Sequence, residues 1–227
     1  YDGRGNYVVR SEEDLDKAFE KLGNSALYAE KFFPFVKELA VVSARSYDGT
    51  LVVYPVVETI HKNNICHIVK SPAPVSKELQ EKAKKLAKEV LSSLEDVGVF
   101  AIEMFLDNTG NIAVNEIAPR VHNSGHHTIE AFSMSQFEAH IRAVTHMPIY
   151  DPQPLSESSV MINILGDRGG EALIKGSTEK RDEDAYIHIY GKMETRNERK
   201  MGHITVLGTN LEDTEKRALE IRSNINI

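Results

Sequence analysis

The chain has 227 residues, 41% hydrophobic and 27% charged, one cysteine and a formal net charge of −7. This is an ordinary globular composition, with no apolar run long enough to span a bilayer and no signal-peptide pattern opening these residues, so a membrane partner is not expected. The acidic balance argues against a nucleic-acid partner, and the lone Cys66 excludes an internal disulfide and points to a reducing, cytoplasmic setting.

In chain order, YDGRGN leading into NYVVR reads as the middle of a hairpin whose first strand precedes Tyr1, so the chain is expected to be a fragment. Ser11 opens SEED, a helix-start signal, and Leu15, Phe19 and Leu22 follow at helical spacing until Gly23. ALYAEKFF reads as a strand. KELAVVSARSYDGTLVVYPVVETI reads as two strands around Tyr47-Asp48-Gly49. Ser76 caps a helix whose Leu79, Ala83, Leu86, Val90 and Leu91 form an apolar stripe. GVFAIEMFL and NIAVNEIA are strands around DNTGN, and TIEAFSMSQFEAHIRAV is a helix. Asp151-Pro152-Gln153-Pro154 marks a boundary. Beyond it lie the strands SVMINILG, AYIHIYG and GHITVLG, an aperiodic charged stretch from Gly169 to Glu183, and a helix from Leu211. Strands and helices mix without regular alternation, which predicts an α+β fold: a main domain over 1–150 and a small β-rich domain over 151–227.

Two glutamates interrupt the apolar strands. A two-residue turn at Thr109-Gly110 would set Glu103 directly opposite Glu116 on one face; a turn longer by one residue would separate them. Facing like charges need a cation, and a few hard oxygen ligands suit magnesium, with manganese as the alternative, bridging to phosphates. The plain alternative is an exposed hairpin with one solvated face. The loop that follows favours the metal: Arg120 offers a planar fork of donors, and His122, Asn123, Ser124, Gly125, His126 and His127 add more before a helix start at Thr128. His122 and His126 raise a zinc site, but no cysteine lies nearby.

EMF…NEIAPRVHNSGH, with YDGRGN, AEKF, KELAVV, YPVVETIH and SQFEAHIRA, resembles the ATP-grasp enzymes of purine biosynthesis known as 5-(carboxyamino)imidazole ribonucleotide synthetases. GKMETRNERKMGHITVLG resembles the last block of that family. The resemblance implies an ATP-grasp fold with a small C-terminal domain, the family's N-terminal Rossmann-like domain and an ATP-binding lysine being absent from these residues. It implies an ATP-dependent ligase that carboxylates 5-aminoimidazole ribonucleotide with bicarbonate through carboxyphosphate, acting as a homodimer.

Position by position, Asp2, Gly3, Arg4, Gly5 and Asn6 match the loop that closes over the ATP phosphates. Glu30, Lys31, Phe32 and Phe33 match the adenine segment, Glu38 the ribose-binding acid, and His61 a further nucleotide-site residue. Glu103 and Glu116 match the metal-binding acids, with Asn115 beside them. Strict alternation would turn Asn115 to the other face, and Ala118 stands where many grasp enzymes carry an asparagine. Arg120 matches an arginine near the bicarbonate-derived intermediate, and with Asp2 and Arg4 it is a catalytic candidate. Tyr1, Asp2, His122, Asn123 and Ser124 match the surroundings of the imidazole ribonucleotide, and Lys192, Arg199 and Lys200 its 5'-phosphate site. The alternatives are another ATP-grasp ligase (formate-using or biotin-carboxylase-like) and a non-catalytic nucleotide-binding fragment.

Overall fold

The computed structural model describes residues 5–23, 26–176 and 182–227. The roles expected for Tyr1, Asp2, Gly3 and Arg4 lie outside the described residues.

The first helix, α1 (Glu13–Leu22), starts two residues after Ser11; Asp14 accepts from the Arg10 N–H at 3.0 Å, and Gly23 closes it at φ 77°. Its apolar stripe is not core-facing, since Leu15 is 45% and Phe19 60% exposed while Ala18 is buried. The strand expected over ALYAEKFF is absent, and 26–34 is irregular. The reason lies in the partner: β1 (Phe35–Arg45) runs beside β5 (Gly98–Asp107), and Asp107, where β5 turns, sits opposite Phe35. Residues before Phe35 therefore run past the end of that ladder.

The single strand expected after Gly49 is two, β2 (Leu51–Val53) and β3 (Val57–Lys62). Pro55, with no N–H to give, falls in the break. A further strand, β4 (Ile65–Ser71), has no counterpart in the sequence reading; it returns through Asn63-Asn64, both at positive φ (52° and 61°), as a tight hairpin requires. α2 (Lys77–Ser92) follows expectation: the Ser76 hydroxyl accepts from the Leu79 N–H, and Ala83, Ala87 and Leu91 are buried. They pack on Leu39, Val41, Phe100, Ile102 and Met104, alternate residues of β1 and β5.

After β5 come β6 (Ile112–Ala118), a short 3-10 turn (Asn123–Gly125), α3 (Thr128–Ala131) and α4 (Gln136–Val144). The single helix expected over the last two is broken. Ser135 caps a new start, accepting from the Glu138 N–H at 3.1 Å, while Phe132 turns extended and bridges Pro154. The second segment adds β7 (Ser158–Leu165), β8 (Gly170–Glu171), β9 (Lys175–Gly176), β10 (Ala185–Ile189), β11 (Glu194–Thr195), β12 (Lys200–Gly208), α5 (Leu211–Ser223) and β13 (Ile225–Asn226).

Among the described residues, nine strands form one antiparallel sheet in the order β10-β12-β7-β4-β3-β1-β5-β6, with β2 beside β1. The boundary near residue 150 falls in a connection, yet the sheet is continuous across it, because β7 pairs β4 from Ile68↔Ile162 to Ser71↔Ser159. α2 covers one face of β1 and β5. On the other face Val42, Ala44, Val99 and Ala101 meet Phe132, Met134, Ala139 and Ala143 of the α3–α4 region. That second face carries the candidate site.

Candidate functional site

Glu103 and Glu116 are register partners. They become so by a route the sequence does not suggest. The loop is three residues, 108–110, between Asp107 and Asn111, with Gly110 at φ 85°. That extra residue alone would misalign the glutamates, but a bulge restores them: Met104 pairs Val114 and Glu103 pairs Glu116, leaving Asn115 as the inserted residue. The bulge also suspends the alternation that would send Asn115 to the far face.

The same register puts Glu103 opposite Ala40, two residues from Glu38, so both acids share one face of β1 and β5. Glu38 Oε2 lies 3.1 Å from His61 Nδ1 on β3. Burial, then the neighbouring Glu116 and Glu38 carboxylates, push the Glu103 carboxyl up to about 7, partly offset by His61. A cation beside the pair would relieve this repulsion. Among the described residues no three of His, Cys, Asp and Glu group to hold a metal by themselves. Two carboxylates with the remaining positions open fit a hard divalent ion completed by phosphate oxygens and water, and no zinc cage.

The loop after β6 lies on this face. His122 Nε2 is 3.7 Å from Glu103 Oε1. Burial and the charges of Arg120 and Lys200 hold His122 down to about 4, so it is neutral at neutral pH and the contact is no ion pair. His126 is likewise held to about 4 by burial, then Lys200. The charge of Lys200 at the head of β12 is thus felt at both histidines. Arg120 is exposed beside them, its guanidinium donating to the Val121 carbonyl at 3.0 Å.

Lys192 donates to the Lys200 carbonyl, its ammonium 5.5 Å from the centre of the Tyr190 ring. Burial and then Arg199, Lys200 and Arg196 lower its pKa, the signature of a crowded cationic patch. Arg199 donates to the Glu194 carbonyl at 2.6 Å. Arg196 joins this patch although no sequence signal marks it.

Asn123 and Ser124 are interior rather than outward-facing. Asn123 is 8% and Ser124 1% exposed, the former bonded to Asn163 and the latter to the His122 ring. Gln136, which the sequence reading places inside one continuous helix, is fully buried and clamps the loop. Its side-chain amide accepts from the His122 N–H at 2.9 Å, donates to the His122 carbonyl at 2.8 Å, and meets His126 Nδ1 at 3.0 Å. The only sequence signal is an amide directly after the Ser135 cap.

In the segment expected to receive adenine, Glu30, Lys31 and Phe32 lie exposed in the irregular chain, while Phe33 and Phe35 stack on Phe105 at 6.3 and 4.3 Å. Gly5 and Asn6 are exposed and join no sheet.

Residues 1–137 match the family model described as ATP-grasp domain, and 159–217 the model described as phosphoribosylaminoimidazole carboxylase C-terminal domain. Phosphoribosylaminoimidazole carboxylase of Candida albicans is 47% identical over 225 residues, 96% of this chain and 39% of that protein. N5-carboxyaminoimidazole ribonucleotide synthase of Bacillus subtilis is 40% identical over 207 residues, 91% of this chain and 53% of that protein. Among solved structures, N5-carboxyaminoimidazole synthase of Aspergillus clavatus, in complex with ADP and 5-aminoimidazole ribonucleotide, is similar with TM-score 0.85 and 36% identity, covering 96% of this chain and 60% of that one. The chain therefore spans about two fifths to three fifths of the length of these relatives.

Proposed function

The chain belongs to the ATP-grasp family, and on that premise we propose that the protein carrying it is an ATP-dependent carbon–nitrogen ligase that carboxylates 5-aminoimidazole ribonucleotide. The γ-phosphoryl group of ATP passes to bicarbonate and ADP leaves. The resulting carboxyphosphate loses phosphate as its carbon dioxide unit is captured by the exocyclic amine, which gives up a proton. The observation that carries the reading is the Glu103–Glu116 pair on the sheet face that also holds the His122 loop, with the Lys200 charge acting on that loop.

Each group has a task in this scheme. Glu103 and Glu116 hold magnesium, or manganese; when bound, the ion offsets phosphate charge and aligns the transfer. Phe33, with the backbone of Glu30 to Phe32, receives adenine, and Glu38, set by His61, takes the ribose hydroxyls. Arg120 stabilises charge on carboxyphosphate through preorganised donors. Lys192, Arg199 and Lys200 take the 5'-phosphate of the ribonucleotide. Among the described residues no helix is long and apolar enough to cross a membrane. The single buried cysteine supports a reducing compartment such as the cytoplasm, and a homodimer belongs to the same proposal.

The test is ADP release by the complete protein, with and without 5-aminoimidazole ribonucleotide and bicarbonate. Turnover that needs both is expected. Turnover that ignores both would refute the assignment, and dependence on bicarbonate with a different acceptor would move it to another ligase of the family.

A further inference from the structure

We propose that Asn163 is a positioning residue that sets the loop at 122–126 against the basic patch and thereby governs affinity for the phosphorylated imidazole substrate. The proposal rests on the ligase reading above. Asn163 lies in the middle of β7, 2% exposed, opposite His203 of β12. On its face of the sheet it borders the buried Ala40, Val57, Val69 and Met161, with His203 as its register partner. A polar side chain is costly there unless every hydrogen-bonding group is satisfied.

Each of its groups is satisfied. The Asn163 side-chain nitrogen donates to the Cys66 carbonyl at 2.8 Å and to Asn123 Oδ1 at 2.6 Å, and its oxygen accepts from Asn123 Nδ2 at 2.9 Å. A reciprocal amide pair of this kind fixes distance and orientation together, because neither side chain can rotate without breaking both bonds.

The two ends of the pair matter for the chemistry. Asn123 adjoins His122, whose ring reaches toward Glu103. Asn163 sits on the strand beside β12, whose first residue is Lys200. Gln136 holds the same loop, but it comes from α4 in the first segment. The Asn123–Asn163 pair therefore ties the loop beside the carboxylates to β7, the neighbour of the strand that opens at Lys200. It holds the loop beside Glu103 at a fixed place on β7.

The experiment uses the complete protein and compares wild type with Asn163→Ser and with the double variant Asn123→Leu/Asn163→Leu. Replacing both partners by apolar groups of similar size removes the bonds without leaving a lone buried amide. In both variants the KM for aminoimidazole ribonucleotide is expected to rise about tenfold, with the KM for ATP within about twofold. Amide hydrogen exchange over 122–126 is expected to quicken before any substrate is added. A ribonucleotide KM within twofold of wild type, unchanged loop exchange, equal rises in both KM values, or loss of the folded state in both variants would each overturn the proposal. Wild-type turnover that ignores the ribonucleotide would overturn the ligase reading instead, and the exchange measurement would still decide whether Asn163 fixes the loop.

Discussion

Replacing Glu103 by glutamine perturbs the site at its most strained charge. In the folded chain the Glu103 carboxyl is raised from an ordinary 4.5 to about 7, by burial first and by Glu116 second. Between those two values the folded state keeps a proton that the unfolded state has lost. Stability therefore falls as pH rises through this window, is fully present below about pH 4.5, and levels off above about pH 7. A tenfold change in proton affinity is worth roughly 1.4 kcal/mol, so holding Glu103 ionised costs the folded chain about 3 kcal/mol when no cation is bound. Glu103→Gln removes the ionisation and keeps the shape. In urea unfolding followed at about pH 8, the variant should gain on the order of 1–3 kcal/mol over wild type, and at about pH 4 almost nothing. Magnesium with ATP should stabilise the wild type at the higher pH and leave the variant nearly unmoved, since the variant lacks half of the proposed cation site. An equal gain at both pH values would mean that the charge of Glu103 is not what strains the site.

Glu116→Ala should abolish magnesium-dependent turnover while leaving circular dichroism unchanged, and full activity at ordinary magnesium would contradict its role as a ligand. Arg199→Ala should weaken aminoimidazole ribonucleotide binding, measured by calorimetry, about tenfold or more while ATP binding stays near normal; equal loss of both would indicate misfolding. Gln136→Ala strips partners from the His122 backbone and the His126 ring, and should lower unfolding free energy by about 2 kcal/mol. Wild-type stability for that variant would show that the clamp contributes nothing.

Local pattern carries the parts of this fold that local physics decides. The Ser76 cap and the apolar stripe of Leu79, Ala83, Leu86, Val90 and Leu91 define α2 without reference to anything else. The apolar run around Glu103 marks a strand, and the polarity of 120–127 marks the loop. What stays hidden depends on partners far along the chain. Residues 26–34 read as a strand by composition, but β5 turns before it can pair with them. The glutamates face each other because two departures, a longer turn and a bulge at Asn115, compensate; the expected two-residue turn reaches the right register for the wrong reason. Asn123 reads as a ligand-facing amide because nothing in its neighbourhood announces Asn163, forty positions away. Resemblance to the grasp enzymes points to the basic residues near position 200, whereas the reach of the Lys200 charge to His122 is a property of the assembled sheet.

The ladder between β4 and β7 has a mechanical consequence. Backbone bonds lace the acidic end and the cationic end into one stiff plate, and swinging one against the other would mean tearing that seam.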